Sequence, residues 1–267
     1  MRVGFVGAGR MGRPMVDRLA AAGHEVQVLG RSSRTRDALR AAGAVAVEDA
    51  TAVAGGAEVV CVCVFNDDQV KDVCLGSGLL DAMPDDSVLV VHTTGSPRTV
   101  QAIAAKAAAG ASNRGIGVLD APVSGGPQDI AAGCITLLVG GAAEHVDRVK
   151  PVLTAYGDPV LHLGPLGAGQ GVKLVNNAVF AANIGVLAEA VKLGTEFGVA
   201  ENDLLEALAH GSGASRALAD AVGHGSVEAF ATAIREFLGK DVAVVREVVA
   251  ELGGSLGVLD DAINALP

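Results

Sequence analysis

Short apolar runs broken by glycine open the chain. Residues 2–6 (RVGFV) read as a buried strand, and Met11 to about Ala22 reads as a helix that Gly23 ends. Residues 25–29, 45–47, 58–64, 87–91, 117–120, 135–139 and 160–163 read as further short strands. Helical stretches at 35–42, 70–74 and 99–109 fall between them. Strand alternating with helix predicts a parallel sheet with helices on both faces. From about residue 167 no strand pattern recurs; segments near 171–197, 201–210, 213–223, 228–252 and 258–264 predict helices only. The Gly- and Pro-rich LGPLGAGQG marks the change, so the expected division is an α/β unit at 1–165 and an all-α unit at 166–267. Residues 171–188 carry a single charge, Lys173, with Asn176, Asn177 and Asn183 as the other polar groups. A helix apolar nearly all round is expected to be buried, here against the molecule's own core and a second subunit.

Composition narrows the picture. The 267 residues are half hydrophobic, rich in Ala and Val, with no Trp and one Tyr, Tyr156. Few aromatics and a net charge of −10 argue against a nucleic-acid partner. No membrane-spanning segment is expected, and the N-terminus runs into a strand with no signal-type core before it. Cys61, Cys63, Cys74 and Cys134 have no zinc-ligand spacing. They read as small buried hydrophobes in a reducing cytoplasm, and no metal is expected.

Gly7-Ala8-Gly9-Arg10-Met11-Gly12 is G-x-G-x-x-G between a strand and a helix, the setting of a dinucleotide-binding turn. Gly7 permits the turn, Gly9 lets backbone approach a pyrophosphate, and Gly12 lets helix and strand pack closely. The second strand ends in Leu29-Gly30-Arg31-Ser32, with no carboxylate to accept from ribose hydroxyls. Arg31 can pair with a 2′-phosphate and Ser32 or Ser33 can add a hydroxyl, so NADP(H) is expected over NAD(H).

Two further places carry chemistry. Lys173 is placed in the first turn of the long apolar helix, where burial and the helix terminus both favour losing a proton, as a general acid or base requires. Asn177, four residues on, shares its face. Ser124-Gly125-Gly126 follows the strand GVLD and can form a nest of N–H groups for a carboxylate.

With these motifs in this order, the chain resembles the β-hydroxyacid dehydrogenases, the 3-hydroxyisobutyrate dehydrogenase and glyoxylate/succinic semialdehyde reductase group. The resemblance rests on the glycine turn, DAPVSGG and GAGQGVKLVNN. It implies a Rossmann doubly wound parallel sheet followed by an all-α C-terminal domain, with the active site in the cleft between them. By the same resemblance Lys173 is the catalytic lysine and Asn177 orients the substrate. Ser124, Gly125 and Gly126 hold the substrate carboxylate, and Thr94 lies near the nicotinamide ribose. Val64 and Phe65 border the cofactor, and Lys240 of FLGKD lies close to cofactor and substrate. The implied partners are a small anionic hydroxy acid or aldehyde and further copies of the chain, as a homodimer or homotetramer. Asn176 stands where the decarboxylating 6-phosphogluconate dehydrogenases have His, which argues against that reaction. The alternatives are an imine reductase, whose relatives usually lack the lysine, and a dinucleotide-binding sensor without turnover.

Overall fold

The computed structural model describes residues 1–30, 32–41, 43–109 and 114–267. It divides into two compact units, Met1–Lys173 and Leu174–Pro267.

Among the described residues, the first unit has nine strands: β1 (Arg2–Val6), β2 (Glu25–Leu29), β3 (Val45–Val47), β4 (Val59–Val62), β5 (Val88–Val91), β6 (Gly117–Asp120), β7 (Val123–Ser124), β8 (Ile135–Gly140) and β9 (Gly157–Gly164). The order is β3-β2-β1-β4-β5-β6-β8-β7, with β9 also on β8. β1 to β6 are parallel to one another, whereas β8 runs antiparallel to β6 and β7 and parallel to β9. The expected parallel sheet is thus present, with antiparallel pairing added at β8. A parallel return needs a crossover of a dozen or more residues, and the stretch after β6 is taken up by β7 and a short helix that double back.

Alternation along the central strands gives the sheet two cores. Val59, Cys61, Val88 and Val90 face α1 (Gly12–Ala21) and α8 (Ala143–Leu153). Val60, Val62, Leu89 and Val91 face α3 (Ala50–Ala54), α5 (Leu79–Ala82) and α6 (Pro97–Ala108). Continuous apolar runs are what strands covered on both faces require. The unit also has α2 (Ser33–Ala41), α4 (Asp67–Lys71) running into a π-helical turn at Asp72–Gly76, and α7 (Pro127–Ala132). The reading of the sequence lacked α3, α5, α7 and α8. Three are six residues or fewer, too short for a 3.6-residue period to show, and α8 contains Pro151. Cys61 and Cys74 are buried as expected, Cys63 is half-buried, and Cys134 is exposed, so the expectation of four buried thiols fails at Cys134.

The long helix α9 (Ala168–Glu196) leads into the second unit, which continues with α10 (Glu201–Ala209), α11 (Arg216–His224), α12 (Val227–Glu251) and α13 (Val258–Asn264). Leu174, Ala178, Ala181, Ala182, Ile184 and Leu187 of α9 are core residues of this unit. At Gly185 a side chain would overlap the Ala262 carbonyl, so α13 lies directly on α9. The helix is long and apolar enough to cross a membrane by length and composition alone. Its burial within this chain is one-sided: Val172, Val175, Val179, Val186 and Leu193 are exposed.

Candidate active site

Because β1, β4, β5 and β6 are parallel, the turns that follow them gather at one edge of the sheet. Strand order reverses between β1 and β4, and open α/β sheets bind ligands at such a point.

The glycine turn leaves β1 here. Gly7 has φ +101°, and a side chain on it would overlap the Cys63 carbonyl. A Cβ on Gly12, the first residue of α1, would overlap the Gly7 carbonyl and press on the Phe5 ring. A Cβ on Gly9 would meet no atom within 4 Å. Two glycines are thus demanded by the fold, while the third borders open space. That open cradle fits a dinucleotide pyrophosphate. Ala8 and Met11 are half-buried around it and Arg10 is exposed. Arg31 lies outside the described residues. The Ser32 hydroxyl caps α2, accepting from the Thr35 N–H at 3.1 Å and sharing a 2.8 Å hydrogen bond with its hydroxyl.

The turns after β4 and β5 are tied to each other. The Thr93 hydroxyl accepts from the Val64 N–H at 2.9 Å and donates to the Val64 carbonyl at 3.0 Å. Thr93 is buried and its neighbour Thr94 half-buried; the Phe65 ring is exposed and its N–H donates to Gln69. His92, just before them, is buried. Its Nδ1 lies 2.7 Å from the Ala121 carbonyl, which can only accept, so Nδ1 carries the proton and Nε2 accepts from the Tyr156 hydroxyl at 3.0 Å. Burial holds His92 down to about 4, which keeps the ring neutral.

The turn after β6 holds the predicted carboxylate nest. Ser124 lies in β7 and is half-buried, and Gly125 is exposed at φ +131°. The Gly126 N–H already donates to the Asp129 carboxylate at 2.6 Å, so the nest offers one donor fewer than its sequence implies.

Asp120, at the end of β6, is wholly buried. Its carboxylate accepts from the Gly167 N–H at 2.7 Å and the Gln170 N–H at 2.6 Å, closing the N-terminus of α9 onto the sheet. Burial pushes this carboxyl up, against the opposing pull of the N–H groups. A side chain on Gly169 would overlap the Leu138 carbonyl, so the helix start has no slack. Gln170, 1 % exposed, accepts from the Gly95 N–H at 3.0 Å and donates to the Thr93 carbonyl at 2.8 Å. Lys173 follows one turn later and is half-buried. It is the sixth residue of α9, so its expected first-turn position is corrected to the second turn. The field of a helix terminus fades within the first turn, and here the Asp120 carboxylate already occupies that terminus.

In the helical unit, Asn177 is buried and its Nδ2 donates to Asp241 Oδ2 at 2.7 Å. The Lys240 ammonium lies 2.9 Å from the other oxygen, Oδ1, as an ion-pair contact outside good hydrogen-bond alignment. Asp241 thus links two predicted site residues and was itself missed. So were Asp120, Gln170 and Thr93, none of which differs locally from an ordinary turn or helix-surface polar residue. Among the described residues, no group of three or more His, Cys, Asp or Glu side chains is arranged to hold a metal.

Residues 2–164 match the NAD binding domain of 6-phosphogluconate dehydrogenase, and residues 167–265 match the NAD-binding domain of NADP-dependent 3-hydroxyisobutyrate dehydrogenase. The chain is 36% identical to the NAD-dependent L-serine dehydrogenase of Pseudomonas aeruginosa, over 81% of this chain and 72% of that one. The 3-hydroxyisobutyrate dehydrogenase of the same organism is also 36% identical, over 81% and 72%. Among solved structures, the 3-hydroxyisobutyrate dehydrogenase of Mycobacterium tuberculosis with L-serine superposes with a TM-score of 0.86 at 26% identity, covering 98% of this chain and 91% of that one.

Proposed function

The chain belongs to the 3-hydroxyisobutyrate dehydrogenase family of β-hydroxyacid dehydrogenases, nicotinamide dinucleotide-dependent oxidoreductases of CH–OH donors. From that premise we propose that it interconverts a small β-hydroxy acid and the matching short aldehyde or semialdehyde acid, with NADP(H) as its preferred cofactor and Lys173 as general acid/base. The observation that carries this reading is the anchoring of α9. Asp120 and Gln170 tie its first turn to the same sheet edge as the glycine turn, and the next turn presents Lys173.

Gly7 to Gly12 hold the pyrophosphate; Val64, Phe65 and Thr94 border the nicotinamide end. When bound, the nicotinamide supplies or takes up the hydride. In reduction, protonated Lys173 donates its proton to the substrate carbonyl oxygen as charge develops there; in oxidation, neutral Lys173 removes the hydroxyl proton. Ser124 and the Gly125 amide hold the substrate carboxylate, and Asp129 leaves Gly126 as a shaping residue only. Asp241 fixes the Asn177 amide, whose oxygen accepts from Asn176 Nδ2 at 3.3 Å and has a second lone pair to orient the substrate, and holds Lys240 beside it. Arg31 receives the 2′-phosphate; Ser32, engaged in its cap, is the lesser contributor. Residues 1–165 serve as the dinucleotide domain and 166–267 as the substrate and dimerisation domain. A second copy of the chain covers the exposed stripe of α9.

The test is NADPH consumption, read by absorbance, with short semialdehyde acids, glyoxylate and cyclic imines, repeated with NADH. Turnover of the semialdehyde acids, fastest with NADPH, is expected. Turnover of imines alone would overturn the substrate assignment, and faster turnover with NADH would overturn the cofactor preference.

A further inference from the structure

We propose that Gln170 is a positioning residue that locks the Thr93–Gly95 turn to the helix bearing Lys173, and so sets the nicotinamide side of the site against the proton donor. The proposal rests on the roles given above to Thr94 and Lys173.

Gln170 is held twice. Its own N–H is fixed by Asp120, and its side-chain amide is spent wholly on backbone, accepting from Gly95 and donating to Thr93. Those partners flank Thr94 on both sides. The link continues outward, because the Thr93 hydroxyl both donates to and accepts from the Val64 backbone. One line of hydrogen bonds therefore runs from the first turn of α9 to the ends of β5 and β4. Both ends are closely packed: Gly95 sits against the Asp67 carboxylate, and a side chain on Gly169 would overlap the Leu138 carbonyl. Lys173 lies three residues beyond Gln170, one turn along the same side of the helix. A small rotation of that turn displaces Thr94 and Lys173 relative to each other. Displacements of an ångström at a reacting centre cost about a hundredfold in rate.

Two variants separate positioning from packing. Gln170→Met keeps the volume and removes both side-chain bonds. Its kcat is expected to fall about a hundredfold, with NADPH affinity by fluorescence titration within about threefold of wild type. Its primary isotope effect with 4-deuterated NADPH should rise as hydride transfer becomes limiting. Gln170→Glu keeps the shape. Neutral, its hydroxyl can donate to the Thr93 carbonyl; ionised, it turns a lone pair on that oxygen. The ratio of its kcat to wild type should therefore recover as pH falls from about 9.5 to about 5.5, a limb that a packing role would not produce. A Met variant within threefold of wild-type kcat, or a Glu ratio flat across that range, overturns the proposal. Wild-type protein that leaves NADPH untouched with every carbonyl tested overturns the functional reading itself, and the inference with it.

Discussion

The sheet unit and the helical unit solve different problems with the same small apolar residues. In the sheet unit, both faces of the central strands are covered by the unit's own helices. Polar groups at the site edge pair inward: Asp120 with the start of α9, Gln170 with the turn after β5, His92 with Ala121 and Tyr156. In the helical unit, α9 buries one face and leaves Val175, Val179, Val186 and Leu193 in the open. Its candidate polar residues form one small cluster, Asn177, Asp241 and Lys240. The difference teaches where precision is built. A unit whose buried polar groups are paired holds reacting groups in one arrangement, because any displacement leaves a donor unpaired. A unit with a bare apolar face is adapted to being covered.

The most damaging change to the first arrangement is at its chemical end. Lys173→Ala is expected to lower kcat about a thousandfold, the scale of a lost general acid, while NADPH affinity stays near wild type. Stopped-flow reduction with the fluorescence titration beside it checks both halves. Activity near wild type would return Lys173 to an ordinary half-buried lysine.

Next in size is the anchor. Asp120→Ala leaves the Gly167 and Gln170 N–H groups buried without acceptors, at about 1–3 kcal/mol each, less the relief of no longer burying a carboxylate. We expect a net loss of about 3 kcal/mol, read as a lower urea midpoint at unchanged slope, with Asp120→Asn intermediate. A midpoint unmoved by Asp120→Ala would mean that the helix start is held by packing alone.

These two residues also mark where the sequence is legible. The glycine turn and the Lys173 helix can be read locally, since a motif between strand and helix and a single charge in an apolar run are properties of neighbouring residues. The partners of Asp120 and Gln170 lie 47 to 77 positions away, and nothing in DAP or GQG distinguishes a buried anchor from a turn residue. The same limit explains α9. Its composition announces burial but does not say by which chain, so half of the predicted cover is missing from this one. The Gly126 N–H is engaged because Asp129, three residues beyond it, reaches back, a local contact that its i+3 spacing could have signalled.

A smaller effect tests how dry the sheet unit is. His92 titrates near 4 in the folded chain against 6.5 when unfolded, because burial disfavours its charged form. The unfolded chain therefore gains the proton first on acidification. The contribution is complete above pH 6.5 and is lost as pH falls from there toward 4, amounting to about 2 kcal/mol by pH 5. His92→Gln should remove that part of the slope, measured as the difference between urea midpoints of variant and wild type from pH 7 to 5. Parallel curves would mean that water reaches the ring.

The smallest effect on the isolated chain is expected on the helical unit's bare face, and it separates the two units most cleanly. Val172, Val179, Val186 and Leu193 recur every seven residues, the spacing of a seam between helices. Val186 is 56% exposed, so Val186→Glu places a carboxylate in solvent and should change the stability of a single chain by no more than about 0.5 kcal/mol. Set against a second copy, the same carboxylate would lie in an apolar seam with no partner, and the copies should separate. Sedimentation equilibrium distinguishes the cases: wild type at a multiple of the chain mass and Val186→Glu at the chain mass supports self-association through α9. Equal masses for both would detach the stripe from assembly, and the bare face would then call for some other cover.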